Sequence, residues 1–306
     1  MAEENTLLEI VIGTYEKYLL GYKLEMNQDQ FVLKPSFTTE AHLQPVKCIA
    51  SSEKFLASGS VDETIQLFNM KTRQEVGALL QHNGTITCLE FYDPYLLSCS
   101  EDSSICVWST SNWQCIKTLL GHKGTINFLA VHPTGKMALS VGKDKSLRTW
   151  NLIKGRSAYV TNIKKIADIV RWSPDGSYFL VCSGNTIDIY SVEKASIVST
   201  IDFQQRICDF TFLNDDLLAV GGESEFIRVY NIKSEEMCFE LKAKTNRIKA
   251  LKSVCISEET FLVSVSSDGC IKIWHVDLSE DEIKPRKVAK VKTQSRPTCM
   301  TVVMTS

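Results

Sequence analysis

Three times along the chain a histidine, a serine and an aspartate recur in the same order, and together they are the residue types of a nucleophilic triad. The sets are His42, Ser58 and Asp62, then His82, Ser98 and Asp102, then His122, Ser140 and Asp144; the histidines stand 40 residues apart and each serine lies four residues before its aspartate. In a hydrolase the aspartate would orient the imidazole, the imidazole would take the seryl proton, and the seryl oxygen would attack a carbonyl beside an oxyanion hole. An active site, however, is normally built once. A trio repeated at a fixed interval marks a unit that the chain itself repeats, so these residues are expected to hold structure and not to react.

Other chemistry has less to stand on. No GxxxxGK[ST] loop and no HExxH pair occurs, so nucleotide hydrolysis and metal-assisted hydrolysis lack their groups. Eleven cysteines run from Cys48 to Cys299 without a CxxC pair. Their odd number and scatter argue against a zinc site or a disulfide framework. Several, such as Cys99 in LLSCS and Cys106 in ICVW, sit in apolar runs where a thiol behaves as a small hydrophobe. No cofactor, no metal and no small-molecule substrate is expected, and the chain reads as a non-enzyme. Hydrophobic residues at 44% and charged residues at 23% suit a folded globular chain. The first residues are acidic and the apolar stretch after them is broken by Glu9 and Glu16, so neither a secretory signal nor a membrane span fits. An intracellular protein without membrane contact is expected.

The elements that must carry the trios come from a longer phrase, which reads SVDETIQLFNM from Ser60, SEDSSICVWST from Ser100, GKDKSLRTWNL from Gly142, SGNTIDIYSV from Ser183, GESEFIRVYNI from Gly222 and SSDGCIKIWHV from Ser266. Its aromatic anchors Phe68, Trp108, Trp150, Tyr190, Tyr230 and Trp274 are spaced by 40, 42, 40, 40 and 44 residues. That interval fits a four-stranded propeller blade of roughly 40 to 45 residues. Six residues before the anchor stands Asp62, Asp102, Asp144 or Asp268, with Gly184 and Ser224 in the other two copies. An Asp turn followed by alternating β-branched and aromatic residues reads as a tight turn and a strand packed on both faces. Hairpin patterns such as VKCIASSEKFLASGS precede each phrase, and no stretch keeps a helical period.

The sequence therefore predicts an all-β fold: a seven-bladed WD-repeat β-propeller forming a single domain over 1–306. The repeats are placed at about 31–70, 71–110, 111–152, 153–192, 193–232 and 233–276. The seventh blade is expected to be closed by N- and C-terminal strands, from 7–26 plus 285–303, which would remove exposed strand edges. The phrase resembles the WD repeat, and the resemblance implies that His, Ser, Asp and Trp of a blade form a buried hydrogen-bond chain. Here that chain would take in the three trios with Trp108 and Trp150, and Asp268 and Trp274 in the last copy. Three copies lack the histidine, with Asn162, Gln204 and Lys244 near its place, so their blades are expected to lean on apolar packing.

Partners of a propeller bind through its loops. The net charge of −2 gives no overall pull toward nucleic acid, but between Lys143 and Arg171 eight basic residues face only Asp144 and Asp168. Candidate partner-binding residues are Lys143, Lys145, Lys154, Arg156, Lys164, Lys165, Arg247 and Lys249. They suit RNA phosphate or an acidic protein segment, or equally a solvated edge that discourages strand pairing. Trp150 and Trp172 are better explained as blade core than as base-stacking platforms.

One run is more specific still. HKGTINFLAVHPTGKMALSVGKDKSLRTWNLIKGRSAYVTNIKK, from His122 to Lys165, resembles the p21-activated kinase-interacting protein 1 family, as do VRWSPDGSYF and GNTIDIYSVEKASIVSTI. The resemblance implies a nucleolar factor in large ribosomal subunit (pre-60S) biogenesis that also binds the regulatory region of p21-activated kinase and restrains its activation. Its partners would then be that kinase region, preribosomal large-subunit proteins and rRNA, in the nucleus and nucleolus. The family continues into a lysine-rich carboxyl tail, so the chain, ending at Ser306, is expected to be a shortened form. The alternative is an adaptor for another signalling complex or a substrate receptor for a ubiquitin ligase. Such receptors carry Trp-Asp-x-Arg at a blade end, where this chain reads FNMK, WSTS, WNLI, YSVE, YNIK and WHVD.

Overall fold

The alternating residues are strands throughout. In a computed structural model describing residues 6–27, 30–243, 247–278, 283 and 285–304, strands β1 (Thr6–Thr14), β2 (Tyr18–Asn27) and β3 (Gln30–Glu40) open the chain. Four antiparallel sheets follow. The first is β4 (Val46–Ser51), β5 (Phe55–Ser60), β6 (Ile65–Asn69) and β7 (Gln74–Leu79), and the second β8 (Ile86–Tyr92), β9 (Tyr95–Ser100), β10 (Ser104–Ser109) and β11 (Cys115–Leu120). The third is β12 (Ile126–Val131), β13 (Met137–Gly142), β14 (Ser146–Asn151) and β15 (Arg156–Asn162), and the fourth β16 (Ile169–Trp172), β17 (Tyr178–Ser183), β18 (Thr186–Ser191) and β19 (Ser196–Asp202). These four belong to one compact unit, His42–Gln204.

The other unit, Met1–Ala41 with Gln205–Ser306, holds three sheets. One is β20 (Ile207–Phe212), β21 (Leu217–Gly222), β22 (Phe226–Asn231) and β23 (Met237–Lys242). The next is β24 (Ile248–Ile256), β25 (Glu259–Ser266), β26 (Cys270–Val276) and β27 (Arg286–Lys292). The last joins the two ends of the chain: β28 (Pro297–Met304) pairs with β1, and the order runs β28-β1-β2-β3. The fold is the seven-bladed β-propeller that the repeat predicts, with its seventh blade closed by both termini.

One detail of the sequence reading is corrected, and the phase of the repeat explains it. The repeat and the sheet are out of phase by one strand: window 31–70 holds β3 to β6, and each later window likewise begins with the outer strand of one sheet and ends with the third strand of the next. Residues 286–292, assigned to the closing blade, are the outer strand of the preceding sheet, where Trp274 pairs with Lys287. Each window closes two residues past its aromatic anchor, so the outer strand that follows the last window belongs to the sheet before it and not to the closing blade. The true outer strand of the closing blade is β3.

Burial explains the composition of each strand. In the unit His42–Gln204, Leu97 and Ile105 of the second sheet pack with Leu129, Ala138 and Trp150 of the third. In the other unit Ile10, Ile12 and Leu24 of the closing sheet pack with Val263, Ile271 and Ile273. A second strand covered on both faces loses the usual alternation: all six residues of β21 are buried, whereas β7 is largely exposed. Each buried aliphatic side chain stabilises by roughly 1.5 to 3 kcal/mol. The anchors have a second role, because the register between third and outer strands slips at every one of them, from Phe68 to Trp274. Such a bulge adds twist to the strand pair. The closing sheet slips at Tyr22, which is thus a seventh anchor.

Candidate functional site

The three trios close as hydrogen-bond chains, each tying the loop before a sheet to the turn between its second and third strands. In the third sheet His122 Nδ1 lies 2.9 Å from Asp144 and His122 Nε2 2.7 Å from Ser140 Oγ, which accepts from Trp150 Nε1 at 2.8 Å. The second sheet repeats this with His82, Asp102, Ser98 and Trp108, every step at 2.8 Å. In the first, His42 lies 3.1 Å from Asp62 and 2.8 Å from Ser58, with Phe68 in place of the indole donor. Satisfying each group fixes the direction: Trp N–H to Ser, Ser O–H to imidazole Nε2, imidazole Nδ1–H to carboxylate.

That is the proton order of a triad, but access is missing. All three serines are 0% exposed, and in two sheets the oxygen that would attack already holds an indole. What the arrangement does is brace the loops. Asp144 also accepts from the Lys123 amide at 3.0 Å and from the amide and hydroxyl of Ser146 at 3.1 and 2.8 Å. Thr64 and Ser104 repeat the Ser146 contact in their sheets. The sequence reading missed these hydroxyls, although a Ser or Thr two residues after each of the three aspartates was in view. Gly121, ahead of His122, has its own reason: a Cβ there would stand 2.7 Å from Arg148 Nη1.

Burial sets the charge states. It lowers the pKa of His42 and His122 more than the neighbouring carboxylates raise it, which keeps both rings neutral. For Asp62, Asp102 and Asp144 burial pushes upward, but the hydroxyl and amide donors with the imidazole outweigh it and hold the carboxyls below their ordinary value.

The blades without histidine do not rest on apolar packing alone, which corrects the expectation. In the fourth sheet Asn185 donates to Asp202 at 3.0 Å, and Asp202 accepts the Gln204 amide at 2.8 Å, so turn and loop are tied by other residues. In the unit that contains β20 to β28, Arg247 pairs with Glu223 at 3.1 Å. Trp274 donates to Ser264 at 3.3 Å, Asp268 accepts the Cys270 amide at 3.2 Å, and the buried Lys272 ammonium donates to the Ala243 carbonyl. Lys244 and Lys284 lie outside the described residues.

The candidate basic residues fall into separate groups. Lys143 and Lys145 occupy the turn before β14, and Lys164 and Lys165 the loop after β15. Lys154 and Arg156 flank the turn after β14, at the opposite end of that strand. Lys165 is paired with Asp188 at 2.8 Å. Lys249 is half-buried within β24 of the other unit, where Arg247 is held by Glu223. Among the described residues no group of three His, Cys, Asp or Glu is placed to hold a metal ion.

Comparison with known proteins follows the same outline. The family model described as WD domain, G-beta repeat matches residues 33–69, 73–109, 113–151, 154–191 and 236–275. Between the last two matches lies the copy with Ser224 at the aspartate position. The chain is 47% identical over 298 residues to "p21-activated protein kinase-interacting protein 1-like" of Danio rerio, covering 97% of this chain and 81% of that protein. It is 47% identical over 302 residues to "p21-activated protein kinase-interacting protein 1" of Homo sapiens, covering 96% and 77%. A solved WD40 β-propeller domain of Doa1 superposes with a TM-score of 0.72 over 89% of this chain and 94% of that one, at 14% identity.

Proposed function

Because the chain belongs to the p21-activated protein kinase-interacting protein 1 family of WD40-repeat proteins, we propose that it is a non-catalytic scaffold that binds the regulatory region of a p21-activated kinase and restrains its activation. The observation that carries this reading is the 47% identity to the two kinase-interacting proteins over nearly the whole chain. The geometry supports the non-catalytic part, since each serine that could imitate a nucleophile is sealed beneath its sheet and each aspartate is spent on bracing loops.

Restraint of the kinase is steric in this reading. Loops held rigid by the hydrogen-bond chains grip the autoregulatory segment, so that an activating GTPase cannot release it. A rigid grip suits the task because no loop entropy is lost on binding. The family resemblance adds a part in maturation of the large ribosomal subunit, in the nucleolus.

Two measurements test the proposal. Purified protein added to GTPase-stimulated kinase should lower its activity in proportion to the amount added; undiminished activity at saturating protein removes the kinase role. In sedimented nuclear extract the tagged protein should travel with large-subunit precursors and leave them after RNase treatment. Sedimentation as free protein both before and after RNase removes the ribosomal role.

A further inference from the structure

The three braced sheets share one backbone at their loop end, so their side chains can be compared position by position. The residue after the histidine donates its amide to the aspartate in each: Leu43 to Asp62 at 2.9 Å, Asn83 to Asp102 at 3.0 Å, Lys123 to Asp144 at 3.0 Å. The residue before the aspartate donates to the neighbouring loop: Val61 to Pro45, Glu101 to Thr85, Lys143 to Thr125. The residue after the aspartate has a positive φ: Glu63 at 69°, Ser103 at 70° and Lys145 at 60°. One backbone thus carries Leu, Val and Glu in the first sheet, Asn, Glu and Ser in the second, and three lysines in the third. Folding does not ask for lysine at these places, and crowding like charges is unfavourable.

A fourth lysine joins them. The Ile163 amide bonds to the Lys145 carbonyl at 3.0 Å, which brings the loop after β15 beside the turn and puts Lys164 next to the group. Lys123, Lys143, Lys145 and Lys164 are all exposed, and none has an ion pair among the described residues. The acids nearest in sequence are turned inward, Asp144 to its four donors and Asp168 to the Gly184 amide at 3.1 Å. Leu120, the last residue of β11 and two residues before His122, is 73% exposed, and Ile166 on the loop after β15 is 47% exposed.

We propose that this end of the third sheet docks an acidic segment of a partner protein, with the four lysines on its carboxylates and Leu120 and Ile166 against its aliphatic side chains. RNA phosphate would also satisfy the lysines, but these loops offer no exposed ring on which a base could stack, and exposed aliphatics contribute nothing to a phosphate backbone. The proposal deepens the scaffold reading and rests on it.

The test replaces Lys123→Asn, Lys143→Glu and Lys145→Ser together, which installs the residues that the second sheet carries on the same backbone. The probes are a fluorescein-labelled peptide of glutamate and leucine and a labelled oligouridine of matched charge, followed by anisotropy. The triple variant should bind the peptide about tenfold more weakly at an unchanged melting temperature, while the matching triple arginine variant keeps its affinity. Equal peptide affinity in wild type and triple variant overturns the proposal. So does loss of oligouridine binding in a chain that never takes the peptide, which would make the surface an RNA site. Lys164→Glu, outside the braced turns, gives the same reading should the triple variant fold poorly. Peptide binding that depends on these lysines, in a chain that captures no kinase regulatory region, would uphold the surface and remove only the kinase reading.

Discussion

Asp144 shows how much one side chain can hold. Its two oxygens accept from His122, the Lys123 amide and both donors of Ser146, so Asp144→Ala takes the carboxylate away from a buried imidazole N–H and from two amides. The expected loss is about 2 kcal/mol, or roughly 3 °C in the melting temperature, and an unchanged midpoint in thermal unfolding would refute the bracing role. The same groups give a pH dependence of definite sign. His42 and His122 have lowered pKa values in the folded chain, so below about pH 6.5 the unfolded chain binds protons that the folded one refuses, and stability falls as pH falls. Asp62, Asp102 and Asp144, also lowered, lose their contribution only below about pH 4. Urea midpoints should therefore drop in two stages as the pH is lowered from 7; a profile flat down to pH 5 would contradict the neutral buried histidines. At this scale the sequence was informative where a trio repeated. It was silent where a different pair did the same work, as Asn185 and Asp202 do, because a residue type with no repeat gives nothing to align.

Turns and strands were legible to different degrees. The Asp turn and the strand after it could be placed to the residue because the aromatic anchor fixes the register, but the outer strands could not. They are half exposed, carry mixed residues such as RKVAKVK and RSAYVTN, and face solvent on one edge, so little in them is specified beyond length. Neither β27 nor β3 therefore carries a pattern that assigns it to its sheet. Tyr22 was missed for a related reason: no Asp turn precedes it, since Tyr15, Glu16 and Lys17 make the corresponding turn. The closing sheet depends on β28, which covers the edge of β1 from Leu8 to Thr14. Removing residues 297–304 should uncover that edge together with Ile10 and Ile12, and the shortened protein should elute as soluble aggregate in size-exclusion chromatography. Elution as a stable monomer would mean that β1 to β3 hold without it. Lys145 makes the opposite case. Its φ of 60° suits glycine, which the last copy has at Gly269, so Lys145→Gly should raise stability by up to about 1 kcal/mol while removing one of the docking lysines.

Over the whole chain the bracing is unevenly distributed, and the distribution bears on binding. All three histidine networks belong to the unit His42–Gln204, on consecutive sheets, and the lysine cluster stands on the third. With a net charge of −2, the molecule has no long-range field to draw in an acidic partner, so affinity must come from charges already held in place at short range. Braced loops meet that need because the amides of Leu43, Asn83 and Lys123 are bonded to carboxylates 19 to 21 residues away, and releasing them requires the network to open. The Lys164 and Gln204 amides are bonded only to side chains two residues back, which a local fluctuation undoes. Hydrogen exchange followed by mass spectrometry should therefore find residues 42–45, 82–85 and 122–125 slow to exchange and residues 164–166 and 204–206 fast. Adding the acidic peptide should protect 164–166 and leave 122–125, already slow, almost unchanged. Fast exchange at 122–125 in the free protein would show that its lysines are ordered only when a partner arrives, and the rigid-grip account of kinase restraint would fail with it.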